Sequence, residues 1–178
     1  ARKMEENKEL HFIQKNDGFH VSTIFVFPFT WFSKANEIGT DSKKANNVLK
    51  SLYAPITKKN SRYFNTSRRS AELIKYASNA FLATKISYIN ELANLCEKAD
   101  IDIKDISMGM GLDLRIGDRF LRAGPAYGGS CFPKDTRALL DTAKKFKTDL
   151  SIVKSVINSN EKRKLLLTKK VYKILNGQ

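Results

Sequence analysis

At 178 residues, with 42% hydrophobic and 28% charged residues, the chain has enough apolar material to build a core, which excludes wholesale disorder. Its most apolar stretch, Val21 to Phe32, is interrupted by Ser22, Thr23, Pro28 and Thr30 and falls short of the roughly 20 apolar residues of a membrane span; the charged N-terminus does not read as a secretory signal. The net charge of +14 asks for an anionic partner (nucleic acid, membrane surface or a phosphorylated small molecule), or else reflects a scattered, mostly lysine excess on solvated faces.

Residues 1 to 36 have an aromatic-rich, strand-like centre without clear caps or turns. The run Asn36 to Thr40 reads as the end of a strand. Asp41 and Ser42 then cap a helix through Tyr53, with Ala45, Val48, Leu49 and Leu52 on one side, and Pro55 stops it. Arg62 to Asn65 reads as another short strand. The strongest element follows: Thr66 and Ser67 offer a cap, and a helix can run from Ser70 to Ala99 without Gly or Pro. Leu73, Ala77, Ala80, Phe81, Thr84, Tyr88, Leu92 and Leu95 form one stripe on it. Ile74, Leu82, Ile86, Ile89 and Ala93 cover much of the rest, so burial on more than one side is expected. A short helix from Asp100 to Met110, a Gly- and Arg-rich loop to Ser130, a helix from Pro133 to Phe146 and a last helix from Leu150 to Leu175 complete the chain. The basic residues between 144 and 178 read as a solvated face. The expected fold class is mainly α, a helical domain built on one long helix.

Three features carry chemistry. In GGSCFPKD, Gly128 to Asp135, two glycines permit close backbone approach, and Cys131 sits beside Pro133, a residue suited to the first turn of a helix. The positive end of the helix dipole favours a nucleophilic thiol there, with Lys134 as a nearby cation and Asp135 as a group to orient water. The competing reading is a structural cysteine at a loop-to-helix junction. Cys96, among Leu92, Ala93 and Leu95, reads as a core thiol. Two cysteines cannot make a disulfide framework, so free thiols and a cytoplasmic location are expected. The second feature is Lys75 with Asn79, four residues apart on one face of the long helix; such a lysine either snorkels to solvent or stabilises an oxyanion. The third is Leu112 to Gly129, where Arg115, Arg119 and Arg122 flank a Gly/Pro loop, suited to phosphate contacts or simply a basic surface loop.

In this order the features resemble the UDP-glucose 6-dehydrogenase family of nucleotide-sugar dehydrogenases. The matching text is GTDSKKANNVLKSLYAPI, RRSAELIKYASNAFLATKISYINELANLCEKAD and GLDLRIGDRFLRAGPAYGGSCFPKDTRALL, within about residues 37 to 175. The resemblance implies Cys131 as the nucleophile, Lys75 and Asn79 as the oxyanion-stabilising and substrate-positioning pair, and Asp135 as a water-associated carboxylate. It implies that Arg115 reaches the sugar nucleotide of a neighbouring subunit, that Arg122, Ala123, Gly124, Pro125, Ala126, Tyr127 and Gly128 lie along the substrate, and that Cys131, Phe132, Pro133 and Lys134 border the nicotinamide of NAD. No metal is implied. The reaction implied is a two-step oxidation of UDP-glucose to UDP-glucuronate through a Cys131 thiohemiacetal and thioester.

By the same resemblance, residues 1–66 correspond to a degenerate tail of a Rossmann-like NAD-binding α/β domain and 67–178 to a helical central domain for dimerisation and the catalytic thiol. No GxGxxG occurs in the sequence, and no C-terminal UDP-binding domain is expected in it, so turnover by the chain alone is doubtful. A homodimer along Ser70 to Ala99 is expected, with no nucleic-acid or membrane partner. The alternatives are a non-catalytic helical dimerisation module and, against the missing aromatic-basic interleaving, a basic nucleic-acid-binding protein.

Overall fold

The computed structural model describes residues 35–55 and 62–177; the strand-like reading of residues 1–34 lies outside them. Near the start, β1 (Ala35–Gly39), α1 (Lys43–Tyr53) and β2 (Arg62–Thr66) make a β-α-β unit whose strands pair in parallel, Ile38 opposite Asn65 and Gly39 opposite Thr66. Ser42 starts α1 by accepting the Ala45 N–H on its hydroxyl at 3.4 Å. Ile38 and Leu49 form the core here, with Tyr53 and Tyr63 packed against them. The Tyr63 hydroxyl donates to Asn46 Oδ1 at 2.6 Å. Of the expected α1 stripe only Ala45 and Leu49 are buried; Val48 and Leu52 face solvent, because the small sheet has room for one apolar row.

Gly39 is where backbone meets backbone. A Cβ added there would lie 2.7 Å from Ala71 Cβ and 2.9 Å from Arg68 Cα. Gly39→Ala is therefore expected to push apart the end of β1 and the helix start at Arg68, at a cost of about 2 kcal/mol. A urea unfolding midpoint unchanged by the substitution would contradict so close an approach.

The long helix α2 (Arg68–Ala99, 32 residues) is about 48 Å long. It begins two residues ahead of Ser70, and Ser67 caps it, its Oγ accepting the Ser70 N–H at 3.1 Å. Asp100, at φ +55°, turns the chain out of the helix, and Ile101 N–H bonds back to Cys96 O at 3.0 Å. The described residues divide into two compact units, one up to Lys75 and one from Tyr76 on, with the boundary inside α2.

In the second unit α2 is followed by α3 (Ile103–Gly111), α4 (Cys131–Lys145) and α5 (Ser151–Leu175). Asp102 caps α3 by accepting the Lys104 N–H at 2.8 Å. The core joins Ala83 of α2, Tyr127 of the long loop and Val156 of α5, with Ile86 and Phe132 packed on it. The facing of α2 differs from the expected one. Ala80, Ala83, Ile89 and Cys96 are buried together with the polar Asn79, Ser87 and Asn90, whereas Leu73, Phe81, Tyr88 and Leu95 are about half exposed or more. Small and amide side chains let neighbouring backbone approach the inward face, and the bulky stripe is left outside. Among the described residues no helix is long and apolar enough to cross a membrane.

Candidate active site

Cys131 is the first residue of α4, two positions ahead of the expected start at Pro133. The reason is that the first N–H groups of a helix have no partner within it, so Pro133 fits the third position as well as the first. Cys131 is partly exposed, its Sγ 3.8 Å from Ser130 Oγ, whereas Cys96 is 5% exposed. The preceding glycines leave open space: a Cβ on Gly128 or Gly129 would meet no atom within 4 Å, and Gly129 takes φ +75°.

One turn into α4, and so on the same helix face as Cys131, Asp135 is completely buried. Its Oδ2 accepts a hydrogen bond from Asn79 Nδ2 at 2.5 Å, while its Oδ1 has no hydrogen-bond partner. Lys75, 9% exposed, precedes Asn79 by one turn of α2. A buried carboxyl with one unpartnered oxygen is expensive for a fold to keep, and such a group calls for an explanation beyond packing.

Around the thiol, Phe132 is partly buried, with ring centroids 5.9 Å from Tyr127 and 6.3 Å from Phe120; Pro133 is partly buried and Lys134 exposed. Burial raises the Tyr127 phenol above its ordinary pKa, a hydrogen bond with Thr136 partly opposing it. In the loop, Arg122, Pro125 and Gly128 are exposed, Ala123, Gly124 and Ala126 partly buried, and Tyr127 buried. Arg115 stands apart from the thiol residues in these contacts: its side chain is 90% exposed and bidentate to Asp113, whose carboxyl it holds below the ordinary range by hydrogen bonding. Among the described residues no cluster of three potential metal ligands occurs.

Several residues that hold this loop were not legible as functional. Lys85 Nζ donates to Ile116 O at 2.9 Å. Asn90, Asn160 and Arg163 bond the backbone of Gly124 and Tyr127. The basic stretch 144–178 is therefore not simply a solvated face: Asn160 is 2% exposed and Arg163 partly buried. The available signal was Asn160 itself, an amide in helical phase with Val153 and Val156, on the apolar side of its helix.

Comparison with known proteins shows the family of the chain. Residues 69–162 match the model of the UDP-glucose/GDP-mannose dehydrogenase family, central domain. A UDP-glucose 6-dehydrogenase of Rickettsia prowazekii is 48% identical over 140 residues, 79% of this chain and 32% of that protein. One of Bacillus subtilis is 50% identical over 140 residues, 79% of this chain and 31% of that protein. A UDP-glucose dehydrogenase structure from Pyrobaculum islandicum superposes with a TM-score of 0.68 at 37% identity, covering 72% of this chain and 29% of that one. A UDP-D-ManNAc dehydrogenase structure from Pyrococcus horikoshii gives 0.70 at 26% identity, covering 82% and 33%. The chain spans about a third of the length of the curated relatives it matches.

Proposed function

The chain belongs to the UDP-glucose/GDP-mannose dehydrogenase family, and on that premise we propose that it forms the catalytic-thiol segment of a UDP-glucose 6-dehydrogenase. The observation that carries this reading is the buried Asn79–Asp135 contact one helical turn beyond Cys131, the half-open thiol at the N-terminus of α4. Sulfur at that position can add to an aldehyde carbon derived from the sugar C6 alcohol, forming a C–S bond while the carbonyl oxygen takes the negative charge. Asn79 and Lys75 stabilise that oxyanion. Oxidation of the thiohemiacetal leaves a thioester. Water attacks it, the C–S bond breaks, and the carboxylate departs with Cys131 restored. The Oδ1 of Asp135, without a protein partner, suits the orientation of that water and the acceptance of its proton.

The open space at Gly128 and Gly129 and the partly exposed Cys131 and Phe132 fit the flat nicotinamide end of a dinucleotide, with Pro133 and Lys134 at its border. When bound, NAD supplies the hydride acceptor for both oxidations. The loop from Arg122 to Gly128 then follows the sugar nucleotide. Arg115, exposed and fixed by Asp113, serves the site of a second copy, which pairs along the outward stripe of α2.

The thiol tests this reading. Iodoacetamide at neutral pH is expected to label Cys131 well ahead of Cys96, because Cys131 is partly exposed beside two glycines that leave access whereas Cys96 is buried. Millimolar UDP-glucose is expected to slow labelling at Cys131 and leave Cys96 unchanged, as followed by peptide mapping. Preferential labelling of Cys96, or no protection at Cys131, would overturn the assignment.

A further inference from the structure

The loop from Gly124 to Tyr127 is held by its backbone as well as by the buried ring of Tyr127. Asn160 of α5, 2% exposed, accepts the Tyr127 N–H on Oδ1 at 2.8 Å and donates from Nδ2 to Tyr127 O at 3.0 Å. One amide thus supplies both bonds that a neighbouring strand would make. Gly124 is fixed in the same way by two residues: its N–H donates to Asn90 Oδ1 at 2.8 Å, and its carbonyl accepts from Arg163 Nε at 3.1 Å. Arg163 also donates to Asn94 Oδ1, which ties its guanidinium to α2.

Between these fixed peptides Ala126 takes φ +126°, a conformation that a residue with a Cβ rarely adopts. Such strain persists only where the surroundings over-determine it. Four hydrogen bonds at residues 124 and 127 do so. The far end of the clamp is the thiol: the Tyr127 ring packs on Phe132, the residue after Cys131. Because every bond of the clamp goes to main chain, the exposed side of the loop at Pro125 and Gly128 remains open to a ligand.

We propose that Asn160 and Arg163, with Asn90, are positioning residues for the sugar-nucleotide loop, holding Ala126 in its strained turn and so setting the loop against Cys131. This rests on the sugar-nucleotide reading above; the three residues act through the loop backbone and touch no reacting atom. Asn160→Ala and, as a second variant, Arg163→Lys, which keeps the charge but not the Nε donor, test it in the full chain. Hydrogen exchange of the peptide from Ala123 to Ser130 is expected to speed up in both, with α2 and α5 protected as before. The UDP-glucose concentration that halves Cys131 alkylation is expected to rise at least about tenfold in each variant, tenfold being the effect of one lost buried hydrogen bond, while Cys96 stays inert. A purely structural role would instead lower protection throughout α5 and expose Cys96 in parallel, and that result overturns the proposal. So does unchanged loop exchange, or an unchanged half-protecting concentration, in either variant. If wild-type Cys131 is not protected by UDP-glucose at all while the loop exchange responds as expected, the sugar-nucleotide reading fails first and the positioning role falls with it.

Discussion

Phe81→Glu and Tyr88→Glu are each expected to convert a dimeric chain into a monomer at micromolar concentration. Phe81 is 66% exposed, Tyr88 51% and Leu95 61%, and they recur every seven residues on α2, so they share one face over four helical turns. A soluble chain rarely presents such a row unless something covers it. A second copy is the occupant that the proposed function requires, since Arg115 would complete the partner's site. In a two-fold interface each residue appears twice, so one substitution changes two contacts. Losing the burial of an aromatic side chain costs about 2 kcal/mol, so a pair of sites weakens association by roughly a thousandfold. Lys104→Glu, on exposed α3, serves as a charge-change control and is expected to leave the assembly alone. Sedimentation velocity decides: a wild-type chain that is monomeric, or glutamate variants that dimerise as tightly as wild type, would remove the stripe as an interface.

How far the sequence could be read depended on whether a residue's partner is near it in the chain. Helix α2 was legible because thirty residues without Gly or Pro follow two good caps, and the β-α-β start because Ser42 and Pro55 punctuate it locally. The facing of α2 was not. Periodicity marks bulky apolar residues as inward, but here Asn79 and Asn90 take inward positions for bonds to Asp135 and Gly124, 56 and 34 residues away. The same limit hid Asn160 and Arg163, whose partners lie 33 and 39 residues upstream. The candidate thiol motif was legible because its residues are close in sequence: two glycines, a cysteine, a proline and a carboxyl one turn on.

The buried Asn79–Asp135 pair is expected to show strong coupling in a double-mutant cycle. Asn79→Leu leaves a completely buried carboxyl without its one donor, and Asp135→Leu leaves a buried amide without its acceptor; each is expected to cost about 2–3 kcal/mol in urea unfolding. The double variant removes both polar groups together and replaces them with apolar volume. It is therefore expected to be nearly as stable as wild type, recovering at least about 3 kcal/mol relative to the sum of the singles. Additive costs would show that the two side chains stabilise the fold independently and that the contact is incidental. The recovery also separates stability from chemistry. If a leucine pair restores the fold, packing alone does not require an amide facing a carboxyl with one oxygen unpartnered. A site selected for work on a substrate tolerates such an arrangement where a core would not. The stable double variant should then fail where wild type succeeds, with Cys131 still alkylated ahead of Cys96 but no longer protected by UDP-glucose. Full protection in that variant would mean that Asn79 and Asp135 contribute nothing to holding the sugar at the thiol.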